Sequence, residues 1–127
     1  MSGKLLDTNA VIALQNGDPG IREFLQKNDV IVPSIVLGEL YYGAYRSGRL
    51  QDNLAIIEDF ATSSKILNCD VATARLYGAI KQQLKLKGRP IPENDIWIAA
   101  IAQQHGLTLV TQDTHFEAVD GLQLESW

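Results

Sequence analysis

Apolar residues recur in two rhythms, short unbroken β-branched or leucine runs and longer stretches spaced three or four apart, which predicts strands alternating with helices. A strand near residues 4–6 passes into a helix over Thr8 to Gln15, and Gly17-Asp18-Pro19-Gly20 turns the chain into a second helix. Val30-Ile31-Val32 reads as a buried strand. Pro33 stops it, and Ser34 is placed to cap a helix reaching about Arg46, where Ser47-Gly48 ends it. A helix over about Leu50 to Phe60 leads to a brief strand at Ile66-Leu67. Asp70 then caps a long helix whose apolar positions Val71, Ala74, Leu76, Tyr77, Ile80 and Leu84 follow helical spacing. Pro90 and Pro92 bracket a loop, and the following helix runs from about Glu93 to His105 and stops at Gly106. Strands follow at Thr108-Leu109-Val110 and Leu122-Gln123-Leu124. Strands joined through helices pair in parallel with right-handed crossovers, so the predicted class is α/β, a three-layer sandwich with a central parallel sheet of four to five strands.

At 127 residues the chain fits a single domain that buries roughly two-thirds of its unfolded surface. A composition of 46% apolar and 20% charged residues, without repeat or low-complexity tract, excludes a disordered chain. Cys69, the single cysteine, cannot form an intrachain disulfide and reads as core filler in a reducing cytoplasm. Met-Ser-Gly-Lys leads straight into a strand with no secretion-signal pattern, and the most apolar run, Ile96 to Ala102, falls far short of the ~20 residues of a membrane span. A soluble, cytoplasmic protein is expected.

Four acids interrupt otherwise apolar settings: Asp7 after the first strand, Glu39 within a helix, Asp95 opening a helix, and Asp113 after the fourth strand pattern. In a parallel sheet Asp7 and Asp113 emerge at the same carboxyl edge, where α/β folds bind ligands. Each acid also has a plain structural use. Asp7 and Asp113 can cap the turns that follow them, and Asp95 suits the first turn of a helix. Glu39 is harder to place on a solvated face, and Gly38 and Gly43 each weaken its helix by ~1 kcal/mol relative to alanine, a cost that makes sense if something approaches the backbone closely and equally if helices pack closely there. Together, three or four oxygen donors converging on one cleft suit Mg²⁺ or Mn²⁺, and without a cation they repel one another.

Net charge is −4, against a nucleic-acid partner at first sight, but setting these acids aside leaves eleven acidic against eleven basic residues. A local basic patch is then compatible with the balance: Lys81, Lys85, Lys87 and Arg89 cluster near a helix end, with Arg46 and Arg49 a smaller group. Solvated helix ends favoured by the dipole account for such runs as well.

Leu5-Leu6-Asp7-Thr8-Asn9, Gly38-Glu39-Leu40, Asn94-Asp95-Ile96-Trp97-Ile98-Ala99-Ala100 and Thr111-Gln112-Asp113-Thr114-His115-Phe116 resemble, in order, the motifs of PIN-domain ribonucleases. The ending Gly121 to Trp127 resembles that of VapC-type toxins of toxin–antitoxin pairs, and the resemblance covers residues 1–127 as one PIN domain. It implies that Asp7, Glu39, Asp95 and Asp113 hold one or two divalent cations, and that Thr8, Asn9, Asn94 and Thr111 orient carboxylates or bond substrate. Arg46, Arg49, Lys85, Lys87 and Arg89 are the candidate RNA contacts. Many relatives carry an acid where this chain has His115, which leaves a second metal open and His115 either a phosphate contact or an ordinary loop side chain. Further implications are endonucleolytic cleavage of structured RNA such as tRNA or rRNA, a homodimer with Tyr41, Tyr42 and Tyr45 at an interface, and silencing by a cognate antitoxin protein. A catalytically silent PIN-fold binding module and a phosphoacceptor domain of receiver type remain as alternatives. Against the second stand Asn9, where a haloacid-type phosphatase needs an acid, and Leu124-Glu125-Ser126, where a receiver needs a lysine.

Overall fold

The computed structural model describes residues 3–26 and 28–127; Met1 and Ser2, on which the expectation about a secretion signal partly falls, lie outside the described residues. The elements are β1 (Lys4–Leu6), α1 (Thr8–Gln15), α2 (Pro19–Leu25), β2 (Val30–Pro33), α3 (Ser34–Tyr45), α4 (Leu50–Ser63), β3 (Lys65–Leu67), α5 (Val71–Lys87), α6 (Glu93–His105), β4 (Thr108–Val110), a 3₁₀ turn (Thr114–Ala118) and β5 (Leu124–Glu125).

Five parallel strands lie in the order β3-β2-β1-β4-β5. The apolar runs explain this centre: Leu5 pairs with Ile31 on one side and Leu109 on the other, and all are essentially inaccessible. Right-handed crossovers set α1 to α4, on the outward leg from β1 to β3, against one face, and α5 and α6, on the return to β4, against the other. α6 is the most deeply buried helix, with Ile96, Ile98, Ala99, Ala100, Ile101 and Ala102 all in the core. The order reverses between β1 and β4, so their carboxyl ends flank the crevice that such a switch point leaves open.

Several expectations shift. Pro33 pairs within β2 and itself occupies the cap position of α3, which starts without a side-chain cap; Ser34 is already helical. α4 runs on to Ser63, beyond Phe60. The last strand is Leu124–Glu125, because the Leu109 and Thr111 amides bond the carbonyls of Gln123 and Glu125. Cys69 is exposed, not core, and Val71 and Ala74 face solvent. Thr73 takes the buried place instead: it closes a capping box with Asp70 and bonds Gln104 of α6, so its polar atoms are satisfied. Among the described residues, nothing beyond the helix's own nearby backbone and the adjoining residues lies within 4 Å of a Cβ built on Gly38 or Gly43, so packing against other elements does not explain those glycines.

Candidate active site

Asp7 leaves β1 as the chain turns into α1, and the residue is only 4% exposed. One oxygen accepts the Ala10 amide at 2.8 Å, capping α1. The other accepts the Thr111 hydroxyl, and that same hydroxyl accepts the Asp113 amide at 2.9 Å. Buried Thr111 therefore ties the ends of β1 and β4 together from behind the cleft. Asp113 caps the 3₁₀ turn by accepting the His115 amide at 2.8 Å, and Phe116, fully buried, anchors that turn to the core.

Asp95 reaches the same place from the first turn of α6, which α5 holds in position. Tyr77 of α5 stacks on Trp97 at 4.1 Å with rings 13° from parallel. The Tyr77 hydroxyl donates to Glu93, and Lys81 donates to Glu93 at 2.6 Å, locking the start of α6. Glu39 comes from α3, which packs against α6.

Asp7, Thr8, Asn9, Glu39, Pro92, Glu93, Asn94, Asp95, Asp113 and His115 line one cleft of about 390 Å³ at this edge. Asp95, Asp113 and His115 are tightest, each offering a ligand atom within 4.8 Å of the others. The His115 Nδ1 lies 3.1 Å from Asp113 Oδ1 and 3.4 Å from Asp95 Oδ2. His115 thus belongs to the cleft and is no ordinary loop side chain. The Asx turn at Asp113 folds residue 115 back over the aspartate's own carboxylate, but the approach to Asp95 depends on where α6 sits and has no local signal. Glu93, also unassigned from sequence, sits at the rim.

Burial, and to a lesser degree the neighbouring carboxylates, shift the protonation equilibria of the cleft. Burial pushes the Asp95 carboxyl from its ordinary 3.8 up to about 6, with Asp113 and Glu39 adding to the rise and His115 opposing it. Burial likewise raises the Asp7 carboxyl against the lowering effect of its bonds to Thr111 and Ala10, and Asp113 raises it further. Among the described residues, no Lys or Arg lines the cleft. Glu39 Oε1 and Thr8 Oγ1 are buried without a hydrogen-bond partner among the described residues. A buried carboxylate oxygen left unpaired is costly, and hard oxygen donors in such number are what a divalent cation accepts. The donor set fits a metal.

The sequence's RNA-contact candidates lie elsewhere. Arg49 pairs with Asp52 at 2.9 Å, Lys87 is held by Asp120 and the Ala118 carbonyl, and Arg46 lies over the Tyr42 ring. Lys85 borders a separate apolar cavity with Lys81, Leu84, Pro90, Ile91 and Ile96, and Arg89 is exposed beyond the end of α5. None of the five lines the acidic cleft.

The PIN domain family matches residues 4–122. The chain belongs to the PIN-domain family. Within it the relatives are VapC ribonucleases: the tRNA(fMet)-specific endonuclease VapC of Shigella flexneri is 38% identical over 97% of this chain and 96% of its own. Ribonuclease VapC2 of Haemophilus influenzae is 41% identical over the same shares. The crystal structure of DNA-bound VapBC from Salmonella typhimurium superposes with a TM-score of 0.93 at 35% identity, covering all of this chain and 99% of that one. The chain therefore groups with the VapC proteins of the PIN-domain family, which sets aside the receiver and phosphatase readings. Among its described residues no helix is long and apolar enough to cross a membrane.

Proposed function

We propose that this VapC protein is a divalent-metal-dependent endoribonuclease, the toxin half of a toxin–antitoxin pair, whose single domain spans residues 1–127. The observation that carries the metal dependence is the cleft itself: carboxylates from four separate elements line it, with no Lys or Arg among the described residues there and with one Glu39 oxygen unpartnered.

Asp95 and Asp113 would hold one Mg²⁺ or Mn²⁺, with Asp7 and Glu39 completing that shell or bounding a second ion. Bound there, such an ion supplies a water acidic enough to act near neutral pH and stabilises charge building on the phosphate. Thr111 fixes the rotamer of Asp7 and the backbone of Asp113, so carboxylate geometry is set before substrate arrives. Asn9 and Asn94, at the mouth, are placed to bond ribose or phosphate oxygens, and Thr8 offers its unpartnered hydroxyl beside Asp7. Arg46, Arg49, Lys85, Lys87 and Arg89 would engage RNA only beyond the cleft, on longer substrate.

The names of the relatives support a tRNA substrate and a VapB-like antitoxin; rRNA as a further substrate and action in the cytoplasm belong to the same proposal. A groove of about 350 Å³ beside Ile12, Leu40, Ala44, Ile56 and Ile57 supports a protein contact, and Tyr42 and Tyr45, 63% and 67% exposed on the same helix α3, extend the surface for antitoxin or homodimer. In the test, metal-stripped protein is given purified tRNA with Mn²⁺, Mg²⁺ or chelator. Cleavage is expected only with metal, and Asp7→Asn and Asp95→Asn are expected to slow it at least ~100-fold while remaining folded. Cleavage in chelator, or by either variant at the parent rate, refutes the assignment.

A further inference from the structure

His115 has no role in the scheme above, yet its ring stands at the tightest point of the cleft. Its placement does not depend on its own charge. The main-chain bond from the His115 amide to Asp113 Oδ1, at 2.8 Å, and the buried Phe116 side chain fix the turn that carries it. The ring itself is half exposed, open to solvent and to anything entering the cleft.

The separations have a chemical reading. Two donors bound at right angles to one cation at ~2.1–2.2 Å lie ~3.0–3.1 Å apart, and in a tetrahedral shell ~3.4–3.6 Å apart. Nδ1 lies 3.1 Å from Asp113 Oδ1 and 3.4 Å from Asp95 Oδ2, two separations that fall within the range of such edges. We propose that His115 supplies a nitrogen ligand to the cation held by Asp95 and Asp113, giving this nuclease a mixed nitrogen–oxygen site that selects Mn²⁺ or a later first-row ion over Mg²⁺. The inference rests on the metal-dependent reading of the cleft and adds the identity of the ion. Mg²⁺ keeps to oxygen donors and water, whereas imidazole suits transition ions.

A competing arrangement shares the same distances: a ring proton on Nδ1 shared between the two carboxylates, with His115 only positioning them. The two exclude each other at one atom, since a nitrogen that binds a cation has no proton to donate.

Pulsed electron paramagnetic resonance of the metal-stripped protein loaded with one equivalent of Mn²⁺ separates them, because a coordinated imidazole imposes ¹⁴N modulation on the Mn²⁺ signal. Wild type is expected to show the modulation, to change it to the ¹⁵N pattern when histidine alone is ¹⁵N-labelled, and to lose it in His115→Gln. The other histidine, His105, lies at the far end of α6 and does not contribute. In parallel titrations, the ratio of Mn²⁺ to Mg²⁺ affinity is expected to fall about tenfold in His115→Gln and also in His115→Asp, which restores an all-oxygen shell. Mn²⁺ bound to wild type without nitrogen modulation, or modulation that survives in His115→Gln, overturns the inference and leaves a carboxylate nuclease site standing. Failure of wild type to bind Mn²⁺ at all, with no metal-dependent RNA cleavage, overturns both.

Discussion

Asp7 serves two purposes with one carboxylate, and substitutions separate them. Asn keeps an oxygen for the Ala10 amide, so Asp7→Asn should retain the helix cap and fold as the parent does while losing RNA cleavage. Asp7→Ala also loses the cap, and denaturant melts should place it lower in stability by about 1 kcal/mol than Asp7→Asn. Asp95 gives a pH dependence with a definite sign. Its folded-state carboxyl titrates near 6, above its ordinary 3.8, so the folded state holds the proton more tightly and the metal-free protein gains stability as pH falls from about 6 toward 4. The cost is fully present above about 6, and the shift caps it at about 3 kcal/mol. Chemical denaturation between pH 4.5 and 7.5 checks this. Saturating Mn²⁺ should reverse the trend, because protons then compete with the ion; a metal-free stability that rises with pH over this range counts against the crowded cleft. The acids were readable from sequence because each breaks an apolar context. His115 was not, since nothing in local spacing tells that the turn at Asp113 carries the ring to a carboxylate 20 residues away in sequence.

The helices hold these groups in place, and their ends were the most legible features. Gly88 and Gly106 adopt φ of 67° and 63° at the ends of α5 and α6, the left-handed region where a side chain is strained. Among the described residues, no atom beyond the adjoining residues lies within 4 Å of a Cβ added at Gly106, so Gly106→Ala should cost about 1–2 kcal/mol of backbone strain alone, measured as a fall in denaturation midpoint. Gly38 and Gly43 lie inside α3 with the same open space but ordinary helical geometry. Alanine at either should stabilise the isolated protein by about 1 kcal/mol. A loss of stability at these positions would mean that a copy of this chain packs there in solution. What the apolar pattern did not reveal has a common cause. β5 is two residues long and is defined by bonds to its neighbour, and α5 turns Val71 outward because the capping box draws Thr73 inward. Pairing and capping over such short spans leave no periodicity to read.

At the scale of the molecule, the parallel sheet was legible from the alternation of runs, and the meeting of β1 and β4 follows from its strand order. That order turns scattered acids into one cleft: β1 and β4 present Asp7 and Asp113, and α3 and α6, meeting above them, present Glu39 and Asp95. A net charge of −4 is consistent with a site that an ion partly neutralises. Mn²⁺ at a hundredfold excess over its Kd should stabilise the fold by about 2.7 kcal/mol, readable as a rise in Tm. The location of that ion bears on everything above. Anomalous diffraction from crystals soaked in Mn²⁺ should show a peak within ~2.5 Å of carboxylate oxygens of both Asp95 and Asp113. A strong peak elsewhere, with none in this cleft, would contradict the account.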